Sequence, residues 1–153
     1  MAIYLVQHGK NEPTDVDPEK GLSPEGRAEV ERIAGVAAGY AVAVDRILHS
    51  GKKRARQTAE ILAAALAPAK GVTAREGLSP LDDVAPVGEE LDSSTNTMLV
   101  GHLPFMERLT AFLVTGSADR PVFQFQNGGI VCLDRYGENG GWVIRWALMP
   151  NIG

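Results

Sequence analysis

Cysteine is nearly absent: Cys132 stands alone in 153 residues. One thiol excludes an internal disulfide framework and fits a reducing compartment. No apolar run reaches the ~20 residues that a membrane span needs. The N-terminus MAIYLVQHGK lacks the charged flank and cleavage site of a signal peptide. Positive charge is not in excess. With 15 basic and 19 acidic residues the net charge is −4, which argues against broad nucleic-acid binding but not against a local basic pocket for an anion. There is no Walker P-loop, no Gly-x-Gly-x-x-Gly after a strand and no Cys/His spacing for zinc. These absences predict a cytoplasmic protein with no metal, no nucleic-acid partner and no membrane partner.

What is present is ordinary for a globular chain, 44% hydrophobic and 22% charged. The length predicts one domain over residues 1–153 with a sizeable core. No repeat is visible, and the one biased stretch is Ala-rich and helical. Ala2 to Val6 reads as a buried strand bounded by Gln7-His8-Gly9. After a proline-containing loop, Ser23-Pro24-Glu25 supplies an N-cap, a first-position proline and an acidic first turn. A helix to about Tyr40 should bury Val30, Ile33, Ala34 and Ala37. Strands are expected at Arg46–His49, Val72–Arg75 and Thr97–Val100, and helices at Lys52–Leu66 and Leu103–Val114. Gly77 to Asp83 reads as a turn, and Glu89 to Leu91 fits a short helix. Gly129–Asp134 and Gly141–Met149 read as a hairpin closed by Gly137-Glu138-Asn139-Gly140. Strand and helix alternate until about residue 120, so the fold class is α/β: a three-layer α/β/α sandwich, mostly parallel with an antiparallel edge. Trp142 and Trp146 lie at even spacing on one strand and should share a face. Cys132 falls mid-strand and reads as core.

Sites in open α/β sheets form beyond the carboxyl ends of the strands. Three strands end in chemically suggestive residues: Gln7-His8-Gly9-Lys10, then His49-Ser50 leading to Lys52, Lys53, Arg54 and Arg56, then Gly101-His102. Taken singly, each is bland. A histidine after a strand is commonly a polar loop residue, the basic cluster a solvated helix face, and Asp82-Asp83 a turn or cap. If the three strands are neighbours, two histidines and a basic helix start converge on one crevice. That set suits a phosphoryl group. Neutral imidazole is a good nucleophile, a guanidinium matches phosphate oxygens, and a helix N-terminus adds N–H groups.

These segments resemble the histidine phosphatase superfamily, or phosphoglycerate mutase-like family. Tyr4-Leu5-Val6-Gln7-His8-Gly9 follows its first strand ending in Arg-His-Gly except at one position. Leu22-Ser23-Pro24-Glu25-Gly26 is similar to its Leu-Thr/Ser-x-x-Gly. His49-Ser50-Gly51-Lys52-Lys53-Arg54-Ala55-Arg56-Gln57-Thr58-Ala59 is similar to its Ser-Pro-x-x-Arg-Ala-x-Gln-Thr-Ala, and Val100-Gly101-His102-Leu103-Pro104 to its second histidine motif. The small size and the Gly-His-Leu-Pro form resemble the phosphohistidine phosphatase (SixA-type) branch. The resemblance implies a phosphoglycerate mutase-like fold and no metal or other cofactor. It implies that His8 attacks phosphorus, Arg54 clamps phosphate oxygens, His102 stabilises developing charge, and water then hydrolyses phospho-His8. Gly9, Lys10 and Ser50 fall in the same motifs as substrate-binding candidates. The general acid, where one exists, would come from Glu76, Asp82 or Asp83. A backbone N–H in Gln126-Asn127-Gly128-Gly129 is placed to touch phosphate, with a plain turn as the alternative.

The departure is Gln7, where the family has arginine. Loss of one charged contact costs about 2–4 kcal/mol, or roughly 30- to 1,000-fold in rate if the contact forms in the transition state. Lys10 or Lys53 would replace part of the charge, as a point charge and not a fork. The expected activity is phosphatase, slowed but real, on a phosphorylated protein (phosphohistidine) or a small phosphorylated metabolite. The alternative is a phosphate- or phosphoprotein-binding module on the same pocket.

Overall fold

A computed structural model describes residues 1–152. Six strands form one sheet in the order β3-β2-β4-β1-β5-β6. They are β1 (Ile3–Gln7), β2 (Arg46–His49), β3 (Val72–Ala74), β4 (Thr97–Gly101), β5 (Ile130–Arg135) and β6 (Trp142–Leu148), with helices α1 (Pro24–Gly39), α2 (Lys53–Leu66), α3 (Ala85–Glu90) and α4 (Phe105–Thr115). β3, β2, β4 and β1 run parallel, β5 runs antiparallel to β1, and β6 antiparallel to β5. The antiparallel edge is therefore the terminal hairpin, as its Gly-rich turn implied.

Strand alternation divides the core between the two faces. Tyr4 and Val6 point to the side of α1 and α2, with Val30, Ile33, Ala34, Ala59 and Leu62. Ile3 and Leu5 point to the side of α3 and α4, with Val87, Phe105, Leu109 and Leu113. Each fully buried aliphatic side chain stabilises by about 1.5–3 kcal/mol, so both helix layers are held by the strand pattern itself. No helix among the described residues is long and apolar enough to cross a membrane.

α1 begins as its sequence dictates: Ser23 Oγ accepts from Gly26 N at 3.0 Å, with proline in the first turn. Gly26 is forced by space, since a Cβ there would stand 2.0 Å from the Lys10 carbonyl oxygen. α3 covers Ala85–Glu90, earlier than Glu89–Leu91, because Pro86 opens a first turn upstream. One expectation fails. Trp142 packs with the α4 side and Trp146 with the α1 side. The β5–β6 register shifts between Cys132 and Leu133, which pair with Trp146 and Ile144. Arg145 is thus an extra residue, and a one-residue bulge reverses every later side chain.

Candidate active site

β2, β4 and β1 are consecutive in the sheet, so His49-Ser50, His102 and His8 leave the same edge. Gln7 lies opposite Gly101 in register, and His8 N donates to Gly101 O at 2.9 Å. Both histidines are buried, His8 at 8% exposure and His102 at 2%. Their ring centroids are 5.0 Å apart.

The hydrogen bonds of His8 define its free nitrogen. Nδ1 lies 2.7 Å from Gly9 O, and a carbonyl oxygen only accepts, so the proton is on Nδ1. The Nε2 lone pair is left for the pocket. Arg54 Nε donates to it at 3.4 Å from the first turn of α2. Burial, with a smaller effect from the Arg54 charge, lowers the His8 pKa to about 4 against the pull of the Gly9 bond. Near neutral pH the ring is neutral with a fixed tautomer, a form able to act as a nucleophile.

His102 is held from β2. Its Nε2 lies 2.6 Å from Ser50 Oγ, which accepts a long bond from Lys52 N at 3.4 Å. The contact holds the ring against the end of β2 and turns its Nδ1 away from Ser50. That Nδ1 is buried and has no partner among the described residues. Burial first, then the charges of His8, Arg54 and Lys52, push the His102 pKa down to about 3. His49 instead accepts from Gly51 N at 3.0 Å through Nδ1. It braces the turn into α2, where Gly51 has φ +89°.

Two side chains lock this geometry. Buried Thr58 accepts from Gly9 N at 3.0 Å and donates to Arg54 O at 2.8 Å, tying the end of β1 to the turn that carries the guanidinium. Asn127 Nδ2 donates to His8 O at 3.0 Å, and Gly128 N reaches Gln7 O at 2.8 Å. Sequence reading gave neither side chain a role. The signal for Thr58 was present, one helical turn after Arg54. Asn127 meets His8 across 119 residues and had no local signal.

The other candidates have partners of their own. Lys10 pairs with Glu25 at 2.8 Å and Glu29 at 3.5 Å, and Lys53 with Asp17 at 2.9 Å and Glu19 at 3.6 Å. Arg56 pairs with Glu60. Exposed Asp82 and Asp83 accept from Ser79 N and Ala85 N, a turn and a helix start. Glu76 is exposed. The Gly129 N–H is taken by Gln126 O. Gly9 is shaped by crowding, since a Cβ there would meet Val30 at 2.7 Å. Gln7 is 9% exposed, and its Oε1 is buried without a donor among the described residues. A cleft of about 640 Å³ opens near Tyr4, Tyr40 and Trp146, and no histidine lines it.

Two neutral imidazoles, one guanidinium and a helix start at a parallel sheet edge form a phosphoryl-transfer geometry. Residues 3–82 match the sequence model of the histidine phosphatase superfamily (branch 1). The chain belongs to that superfamily. This phosphatase is 28% identical over 157 residues, 98% of the chain and 94% of the relative, to phosphohistidine phosphatase SixA of Escherichia coli (strain K12). Its fold is similar to that of the protein histidine phosphatase SixA complexed with tungstate, with a TM-score of 0.84, 24% identity and coverage of 98% and 97%. It is also similar to phosphoserine phosphatase in complex with 3-phosphoglyceric acid from Entamoeba histolytica, with a TM-score of 0.70, 16% identity and 96% of each chain covered. The sandwich is thus the phosphoglycerate mutase-like fold. Phosphatase chemistry on a phosphorylated substrate follows from membership.

Proposed function

We propose that this phosphatase removes the phosphoryl group from phosphohistidine on a protein, through a phospho-His8 intermediate. The observation that carries the reading is the free Nε2 of His8, its proton fixed on Nδ1 and its lone pair facing Arg54 Nε at 3.4 Å. In the first step that lone pair forms a bond to phosphorus while the substrate N–P bond breaks. The bond's electron pair goes to the departing ring nitrogen. If the other nitrogen of that ring is protonated, the leaving group is neutral imidazole and needs no further proton. In the second step a water oxygen attacks phosphorus, the His8 N–P bond breaks, and phosphate departs with the water's protons shared to solvent. Arg54 holds the phosphoryl oxygens, and the His102 ring, 5.0 Å from that of His8, stabilises the charge that develops on them.

The leaving group is what favours phosphohistidine over an ester. An alkoxide requires a proton from a placed acid. The Asp82 and Asp83 carboxylates are exposed and engaged with backbone N–H groups. A phosphoramidate tolerates that arrangement, because imidazole leaves without one. The E. coli relative carries phosphohistidine in its name, which points the same way.

The reading is tested by incubating wild type and His8→Ala with a phosphohistidine peptide and with p-nitrophenyl phosphate. Wild type should release phosphate from the peptide at the higher kcat/KM, and His8→Ala should release none. Background release by wild type on the peptide would favour the binding-module reading, for which the missing charge at Gln7 is the supporting feature.

A further inference from the structure

We infer that Gln126 and Asn151 are positioning residues for His8: together they fix the turn that holds the His8 carbonyl, and through it the direction of the His8 ring. The role rests on the reading above, in which His8 is the nucleophile.

The backbone at His8 aims its ring, and the His8–Gly9 peptide is gripped at both ends. Its N–H end is held from α2, where Thr58 Oγ1 accepts from Gly9 N at 3.0 Å. Its carbonyl end is held from the turn before β5. Asn127 Nδ2 donates to His8 O at 3.0 Å, and Gly128 N donates to Gln7 O at 2.8 Å and to His8 O at 3.2 Å. Gly128 has φ +79°, a left-handed backbone that glycine adopts without steric cost. Two donors thus converge on one carbonyl, and they are only as well placed as the turn that carries them.

The segment after β6 backs that turn residue by residue. A Cβ on Gly129 would collide with Met149 Sδ, and one on Gly128 would stand 3.8 Å from Pro150 Cγ. Gln126 Nε2 donates to Asn151 O at 2.9 Å, and Asn151 N donates back to Gln126 Oε1 at 3.0 Å. One side-chain amide is thereby paired with the backbone of the segment in both directions. The segment is moored in turn to α1. Asn151 Nδ2 donates to Glu29 Oε2 at 3.0 Å, and the Arg32 guanidinium donates to Pro150 O. Glu29 is buried, and its other oxygen lies 3.5 Å from Lys10 Nζ, two residues beyond His8. Val30 of the same helix packs between the two glycines: a Cβ on Gly128 would stand 3.2 Å from its Cγ2, and one on Gly9 2.7 Å. α1, the segment after β6 and the turn therefore close around the end of β1 as one block. An attacking atom misplaced by about 1 Å costs on the order of 100-fold in rate, so loosening this block is read in turnover before it is read in binding.

The test measures Gln126→Ala, Asn151→Ala, Asn127→Ala and the Gln126→Ala/Asn127→Ala double variant on a phosphohistidine peptide. Gln126→Ala should lower kcat by about tenfold and move KM by less than about twofold, since Arg54 is left in place. Asn151→Ala loses only the Glu29 mooring and should lower kcat less. The double variant should fall within about twofold of Asn127→Ala, because both side chains act through the one carbonyl. Additive losses, or a lower Tm with kcat unchanged, would make Gln126 a packing residue and overturn the inference. A second readout needs no turnover. In protein carrying 15N-labelled histidine, Gln126→Ala should displace the His8 ring resonances and leave those of His49, which braces a different turn. Unmoved His8 resonances would overturn the inference. Wild type that releases no phosphate from the peptide, with the His8 resonances displaced by Gln126→Ala, would count against the phosphohistidine reading and leave the positioning role standing.

Discussion

At the scale of the residue, the chemistry depends on which nitrogen of His8 is free. The Gly9 carbonyl settles that by demanding the proton on Nδ1. The proposed attack needs Nε2 unprotonated, and burial lowers the His8 pKa to about 4. Where the substrate ring stays protonated, the rate should hold down to about pH 5 and fall as pH drops through about 4. A bell centred on the ordinary histidine pKa in a pH–rate profile would contradict this. Stability follows the same sign. A histidine whose folded pKa lies below its unfolded value binds a proton more readily when unfolded. Stability should therefore decline as pH falls below 6.5, levelling only near 4 for His8 and 3 for His102. Removing either ring should flatten the dependence of Tm on pH in that window. Arg54→Lys keeps the charge but loses the planar fork and the Nε contact. The expected cost is about 10- to 100-fold in kcat/KM, read by steady-state kinetics.

At the scale of the element, much was legible because local rules governed it. The Ser23-Pro24 start of α1, the apolar stripe Val30–Ala37 and the alternation along β1 each follow from a period or a cap. The convergence of His8, Arg54 and His102 was legible because parallel strands place their carboxyl ends at one edge. The bulge at Arg145 was not, since Trp142 and Trp146 look alike in a regular strand and only pairing with Cys132 and Leu133 reveals the extra residue. Asn127 was invisible for a similar reason: its partner His8 is fixed by sheet order, not by spacing. The fates of Lys10 and Lys53 were hidden too, because the carboxylates that claim them come from other segments. The brace between β1 and α2 gives a prediction at this scale. Thr58→Val keeps the shape but leaves the buried Gly9 N–H without an acceptor, at a cost of about 1–3 kcal/mol. Tm should fall, and kcat should fall with it because His8 and Arg54 lose their common tie. Loss of Tm alone would make Thr58 a packing residue only.

At the scale of the whole molecule, the net charge is −4 and most cations near the strand ends are neutralised locally. What remains is concentrated on the first turn of α2. Inorganic phosphate at 100 times its Kd should stabilise the fold by about 2.7 kcal/mol through binding to the native state alone. The shift should appear in thermal unfolding of wild type and disappear in Arg54→Ala. In the proposed cycle one nitrogen, His8 Nε2, carries the phosphoryl group between substrate and water. Acid-labile label captured from a phosphohistidine peptide during a single turnover, and located by mass spectrometry on base-quenched protein, tests it most directly. The phosphoryl group should be found on His8, at Nε2, in wild type, with no trapped label in His8→Ala. Label on another residue, or undiminished phosphate release by His8→Ala, would contradict it.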